Sequence, residues 1–370
     1  MEKFKKLCTI LLLVCVTVFV LCACKSSSTN SHTNSQTADT SDDATVHSAD
    51  TVTNDDTDIV TDDGTDITTD DDTDIVTNIA VLTGPTGKGF NKAWDDSDKG
   101  LSRHQYNVTA YSTADEITAG IVKGTIDVAA VPCNLASVLY NKTEGGISVA
   151  AVNTLGVLYM VSTGDTITSI QDVKGKTIYT TGQGTTPEYT LNYILSKNGL
   201  EPGKDVTIEY KSEASEVAAL MSSTENTIAM LPQPFVTTVL MNNENASIAL
   251  NMTEEWKKID DSCELVTGVV IVRKEYLQKH EELFRDLLTE YKNSTSFVNG
   301  NVDEAAAMIE DHNLFKAAVA KKAIPFCNIV FLTGKDMERA ISGYLRVLFE
   351  ANSQSVGGRL PDDNFYYSGQ

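Results

Sequence analysis

One unit of this chain is written twice. Ile79-Ala80-Val81-Leu82-Thr83-Gly84 reads as a strand running into a Gly-rich turn and a helix, and Thr177-Ile178-Tyr179-Thr180-Thr181-Gly182 does the same 98 residues later. Val108-Thr109-Ala110-Tyr111 then precedes a helix, a strand ending at Pro132, and a helix over Asn134–Tyr140. Val206-Thr207-Ile208-Glu209-Tyr210 precedes a helix, a strand ending at Pro232, and a helix over Pro234–Leu240. The two prolines stand 100 residues apart, far beyond the short period of a solenoid. An α/β unit repeated at this distance folds twice, each copy around its own sheet.

The runs expected as strands are Ile79–Leu82, Val108–Tyr111, Ile126–Val131, Ser148–Val152, Thr177–Thr180, Val206–Tyr210 and Thr227–Leu231. Their apolar residues are more continuous than alternating, as in strands buried on both faces. Helical periods lie between them, and that alternation makes a parallel or mixed sheet packed between helices. Thr113 with Glu116 predicts a capping box for a helix over Ala114–Lys123, and Gly124 its left-handed end. Pro187 predicts the first turn of a helix over Pro187–Lys197, closed by Gly199. The expected class is therefore α/β, with two mixed sheets flanked by helices and a ligand cleft between two lobes. Residues 78–160 with 268–370 are expected to form lobe one and 161–267 lobe two. Leu158–Ser162 crosses outward in this reading, and the apolar run Leu265–Val272 crosses back. Helices between Glu275 and Leu348 complete lobe one.

The chain opens with Lys3, Lys5 and Lys6, followed by the uncharged run Leu7–Cys24. A basic start, an apolar run and a small-residue exit predict a secretory signal over residues 1–23. The exit Leu21-Cys22-Ala23-Cys24 resembles the lipobox of bacterial lipoproteins, which assigns the lipid to Cys24. An uncleaved N-terminal anchor is the alternative, since 18 uncharged residues just span a bilayer. Either way the body lies outside the cytoplasmic membrane and is held to it, lipid-anchored in the first reading. Residues 24–77 follow; Lys25–Thr77 carries 14 Asp, one Lys and no aromatic residue. Such a stretch buries too little apolar surface to offset its ordering entropy and is expected to act as a flexible tether. No window in it fits an Asp-x-Asp-x-Asp-Gly calcium loop. The remaining body has 25 basic and 36 acidic residues, which argues against nucleic-acid binding. Its three cysteines, Cys133, Cys263 and Cys327, form no Cys-x-x-Cys pair, so neither zinc nor a disulfide framework is expected.

Chemistry in a doubly wound sheet concentrates outside the carboxyl ends of the strands. Gly84-Pro85-Thr86-Gly87-Lys88-Gly89 follows a strand there, but it fails the P-loop pattern because Gly89 stands where Ser or Thr is required. Its turn, with the Thr86 hydroxyl, suits a polar or anionic ligand group. Thr181-Gly182-Gln183-Gly184-Thr185-Thr186 is its counterpart in lobe two. Val131-Pro132-Cys133-Asn134 and Leu231-Pro232-Gln233-Pro234 form a second matched pair, and Ser112 ends another strand. The candidate ligand contacts are Gly84, Pro85, Thr86, Gly87, Lys88, Ser112, Cys133, Asn134, Thr154, Gly184, Thr185, Thr186, Gln233 and Thr267. Cys133 as a nucleophile needs a base beside it. His104, His280 and His312 all stand in polar neighbourhoods and read as surface residues, so a buried structural Cys133 is the expectation. No catalytic residue, metal or cofactor is expected.

At these loops the chain resembles the nitrate/sulfonate/taurine and thiamine-precursor type of ABC-importer substrate-binding protein. The carrying residues include Gly84-Pro85-Thr86-Gly87, Asp127-Val128-Ala129-Ala130-Val131-Pro132, Asn153-Thr154-Leu155-Gly156-Val157, Pro187-Glu188-Tyr189, Pro232-Gln233-Pro234-Phe235 and Gly357-Gly358-Arg359-Leu360-Pro361. The resemblance implies the type II periplasmic-binding-protein fold, closure on a small-molecule ligand, delivery to an ABC permease, and a monomer. The family's Pro-x-Pro turn commonly carries Glu where this chain has neutral Gln233, and no Arg stands in an expected cleft loop. A neutral or zwitterionic heterocycle of the thiamine-precursor kind fits as well as a sulfonate. Two other readings compete: a tethered hydrolase using Cys133, and a surface adhesin.

Overall fold

A computed structural model describes residues 75–164 and 166–369. The signal segment, Cys24 and the tether as far as residue 74 lie outside the described residues. The chain first lays down β1 (Val76–Leu82), β2 (Gln105–Tyr111), β3 (Val128–Pro132) and β4 (Ile147–Thr154). A second sheet takes β5 (Leu158–Thr163), β6 (Thr177–Thr180), β7 (Thr207–Tyr210), β8 (Thr227–Pro232) and β9 (Ala246–Asn251). β10 (Gly268–Arg273) and β11 (Ile329–Leu332) return to the first. The spatial orders are β11-β4-β10-β3-β1-β2 and β7-β6-β8-β5-β9.

The repeat in sequence is a repeat in pairing. Each sheet holds a parallel trio, β2-β1-β3 or β7-β6-β8, followed by one antiparallel strand, β10 or β5. Ile79 pairs with Val108 and Val128, and Ile178 pairs with Ile208 and Ile228. Every residue of β3 and β4 is buried, which is why their apolar runs are continuous. Each fully buried Val or Ile there contributes about 1.5–3 kcal/mol.

Helices flank both sheets: α1 (Asn91–Asp98), α2 (Ala114–Lys123), α3 (Cys133–Lys142), α4 (Thr186–Lys197), α5 (Ala214–Ser223), α6 (Phe235–Asn242) and α7 (Met252–Ile259). After β10 come α8 (Lys274–Lys279), α9 (Glu281–Gly300), α10 (Val302–Asp311), α11 (Ala317–Ala323) and α12 (Gly334–Ala351). Gly124 ends α2 at φ 78° and Pro187 sits in the first turn of α4, as read from the sequence.

Several expectations change. The Gly-rich turn after β1 does not lead straight into an α-helix: Pro85–Phe90 is a fully buried 3-10 turn, and α1 starts at Asn91. Thr113 makes no side-chain cap on α2; its matched helix α5 is capped instead by Glu213 and Glu216. β1 starts at Val76, so Val76 and Thr77, read as the end of the tether, are sheet residues. β5 lies wholly in the second sheet, so the outward crossing is Leu155–Val157, and not Leu158–Ser162. β9 and β11 carried no strand expectation. α12 does not complete lobe one alone. Its Tyr344 packs on Trp256 of α7, ring centroids 5.5 Å apart, and approaches Thr190 of α4 at 3.5 Å. The last helix thus packs on both lobes.

Candidate functional site

The two crossings hold the strand tips in register. Cys133 N donates to Thr267 O at 3.0 Å, and Gln233 N donates to Val157 O at 3.2 Å. Each tip, one from β3 and one from β8, is thereby pinned to the segment that leaves for the other lobe. Thr267 N also donates to Thr154 O at 3.0 Å, tying the two crossings together. With the tips fixed this way, both carboxyl edges open on one cleft of about 770 Å³. Lobe one lines it with Leu82–Thr86, Ser112–Asp115 and Pro132. Lobe two contributes Thr181–Gln183, Thr185–Pro187, Tyr210–Ser215, Pro232 and Phe235, and the loop between α10 and α11 adds Leu314 and Phe315.

Half of the expected contacts line this cleft: Gly84, Pro85, Thr86, Ser112, Thr185, Thr186 and Thr267. The Thr86 and Thr267 hydroxyls are buried and have no hydrogen-bond partner among the described residues. A buried hydroxyl left unpaired costs about 1–3 kcal/mol, so the two mark a place where a ligand group or water completes the bonding.

Of the other seven, Gly184 is exposed and six sit behind the wall. A side chain at Gly87 would meet Leu82 O at 2.3 Å, because the 3-10 turn folds back on β1. Lys88 is 2 % exposed; its Nζ donates to Thr83 O at 2.9 Å and lies 4.6 Å from the Phe315 ring centre. Burial pulls its amine down to about 7. Asn134 is fully buried and joins the lobes: Nδ2 donates to Ser355 O at 3.0 Å and Gly184 O at 3.3 Å, and Oδ1 accepts from the Thr186 hydroxyl at 3.2 Å. Thr154 is buried at the crossing, its hydroxyl unpartnered. Gly184 takes φ 76° and donates its N–H to the Glu188 carboxylate. Gln233 is 2 % exposed and turns inward to accept from Thr237 N at 3.2 Å and Thr237 Oγ1 at 2.7 Å, capping α6.

Cys133 is fully buried, and burial pushes its thiol well above the ordinary value. The three histidines of the body are engaged elsewhere. His104 meets Asp286, His280 packs on Tyr276, and His312 stacks on Trp94 at 4.1 Å. His312 is therefore an interior residue more than a surface one. A protonated thiol with no base beside it is no nucleophile. Among the described residues, no group of three His, Cys, Asp or Glu side chains is placed to hold a metal ion.

The residues missed by sequence reading divide into two kinds. Ser212 stands 100 residues after Ser112, so the repeat offset itself locates it. Tyr210, Glu213 and Ser215 follow from the same tip. Leu314 and Phe315 carry no such signal, because they arrive from a helix pair far along the chain. Among the lining residues the charged ones are Asp115, Lys211 and Glu213, and Lys211 pairs outward with Glu209 at 3.6 Å.

Two sheets of this order, joined by two crossings around one cleft, define the periplasmic-binding-protein fold. Comparison with known proteins agrees. Residues 141–305 match the family described as NMT1/THI5 like. An ABC transporter structure from Parabacteroides distasonis is 24% identical, with 80% of this chain and 100% of that chain covered at a TM-score of 0.66. The ligand-binding component of an ABC-type import system from Staphylococcus aureus, solved with zinc bound, is 14% identical over 79% of this chain and 96% of that one, TM-score 0.63. The periplasmic aliphatic sulphonate binding protein SsuA from Escherichia coli is 11% identical over 78% and 92%, TM-score 0.62. A comparison with curated protein sequences finds no match.

Proposed function

We propose that this chain captures a small solute between its lobes outside the cell membrane and delivers it to the permease of an ABC importer. The observation that carries the reading is the pair of carboxyl sheet edges opening on one cleft, with each tip pinned to a crossing segment. Hydroxyls from Thr83, Thr86, Ser112, Ser212 and Thr267 offer polar contacts, and Tyr210, Phe235 and Phe315 offer flat apolar ones. Such a wall orients a compact polar solute, sulfonate-like or thiamine-precursor-like, against aromatic faces. Similar solved structures, named as an ABC transporter, a ligand-binding component of an ABC-type import system and a periplasmic aliphatic sulphonate binding protein, support the transport role.

Closure needs only a solute with higher affinity for the closed arrangement. Small-angle scattering across a metabolite series, paired with native mass spectrometry for co-purified solutes, tests it. A bound solute that reduces the radius of gyration is expected; a radius unchanged at saturation removes the closure. Membrane attachment through Cys24 rests on Leu21-Cys22-Ala23-Cys24. Labelled palmitate should enter the wild type and not Cys24→Ala. Labelling of both, or of neither, would remove the lipid assignment.

A further inference from the structure

Lys88 is the buried charge-bearing group that the fold leaves without an explanation. It lies on the 3-10 turn under the floor of lobe one, 2 % exposed, with Thr83 O as its one hydrogen-bond acceptor among the described residues. No carboxylate faces it among the described residues. Cys327, from the turn before β11, is the titratable group within electrostatic reach, and burial holds its thiol neutral up to about 12. Tyr291 of α9 packs against the same turn, but at Gly89 and Phe90. A lysine amine in such a place is expensive, and a fold that needed only volume there would take a methionine.

Two residues that meet Nζ also line the cleft: Thr83, through its backbone carbonyl, and Phe315, through its ring. Phe315 sits on a short loop between α10 and α11 and is half-buried. Its ring also meets Phe235 of lobe two edge to face, centroids 5.0 Å apart. Lobe closure and the covering of Lys88 therefore act on one ring. The unpartnered Thr86 hydroxyl, two residues before Lys88, lines the same cleft.

We propose that Phe315 is a movable cover over Lys88, and that the acidic group of a captured solute displaces it and pairs with the amine, which takes one proton from solvent. This rests on solute capture in the cleft. At rest the amine is largely neutral above pH 7, since burial lowers it to about 7. Pairing with an anion raises it again, so capture of an acid consumes a proton and weakens as pH rises past 7.

The test uses the whole chain and two probes. In competitive acetylation with acetic anhydride at pH 7.5, read by peptide mass, Lys88 should react at least about tenfold faster in Phe315→Ala than in the wild type or Phe315→Leu. Equal protection in all three overturns the cover. Methanesulfonate, measured by calorimetry, should lose about tenfold in affinity from pH 7.5 to 8.5 and take up about one proton. Lys88→Met and Lys88→Gln should abolish both effects. Binding that ignores pH, binding unchanged in both variants, or no methanesulfonate binding overturns the proposal. Dimethyl sulfone, the neutral analogue, separates the two claims. Capture of it or another neutral solute, with methanesulfonate ignored, removes the Lys88 site and leaves solute capture standing. No solute held by wild type and variants alike removes solute capture itself.

Discussion

The two lobes share a parallel trio with an antiparallel neighbour, and they part company at the turn after the trio's central strand. In lobe one, Pro85–Phe90 is buried along its whole length and covers the start of β10, so the residue opposite Pro132 must be Gly268. A side chain there would meet Thr86 Cγ2 at 2.4 Å and Asn153 Oδ1 at 2.6 Å. In lobe two the matching turn leaves Gln183 and Gly184 exposed, and the residue opposite Pro232 is Leu158. A folded-back turn buries hydroxyls and a lysine at the cleft floor; an open turn leaves room for an aliphatic side chain. The same module thus carries a buried turn at the cleft in one lobe and an exposed one in the other.

Substitutions that swap these features give the largest effects. Gly268→Ala should cost about 3 kcal/mol in denaturant unfolding, since both neighbours that block it, Thr86 on the buried turn and Asn153 on β4, are themselves packed inside. A cost below about 1 kcal/mol would mean that the turn in lobe one is no tighter than its partner. Asn134→Ala should lose about 2 kcal/mol, because it strands the buried Ser355 carbonyl and Thr186 hydroxyl and removes the bond to Gly184 O. Gln233→Ala, at the matching tip, removes one helix cap and should cost about 1 kcal/mol.

The next contrast is in pH. Lys88 falls from its ordinary 10.5 to about 7 on folding, so between those values the unfolded chain binds more protons. Stability therefore rises with pH across that window and levels off below 7, by at most about 1.4 kcal/mol per pH unit. Thermal unfolding of Lys88→Met against wild type isolates this slope; parallel curves from pH 7 to 10 would show that the amine is not buried. Gly184→Ala is as small as Gln233→Ala, about 1 kcal/mol, since φ 76° is strained for alanine but open space surrounds the position.

Much of this was legible in the chain. The repeat offset, the buried strands and the two proline-marked tips all follow from local pattern, because a strand buried on both faces must be apolar throughout. β9 was not legible: its burial is patchy, since it closes a sheet edge. The capping box at Thr113 was a local signal that failed: its hydroxyl makes no cap bond, while Glu213 at the matching position caps its helix and lines the same cleft. Lys88, Cys133, Asn134, Thr154 and Gln233 stand at or beside the strand tips yet are buried behind the cleft wall, since a motif fixes where a backbone turns and not which way each side chain points.

What the sequence determined alone is the doubled α/β unit and its strand tips, for those depend on contacts near in the chain and on burial periodicity. Only the tertiary structure decided that Phe315 lies over Lys88, that α12 packs on both lobes, and that Thr86 and Thr267 share one wall. These contacts join residues far apart in the chain, and no local preference encodes such a meeting.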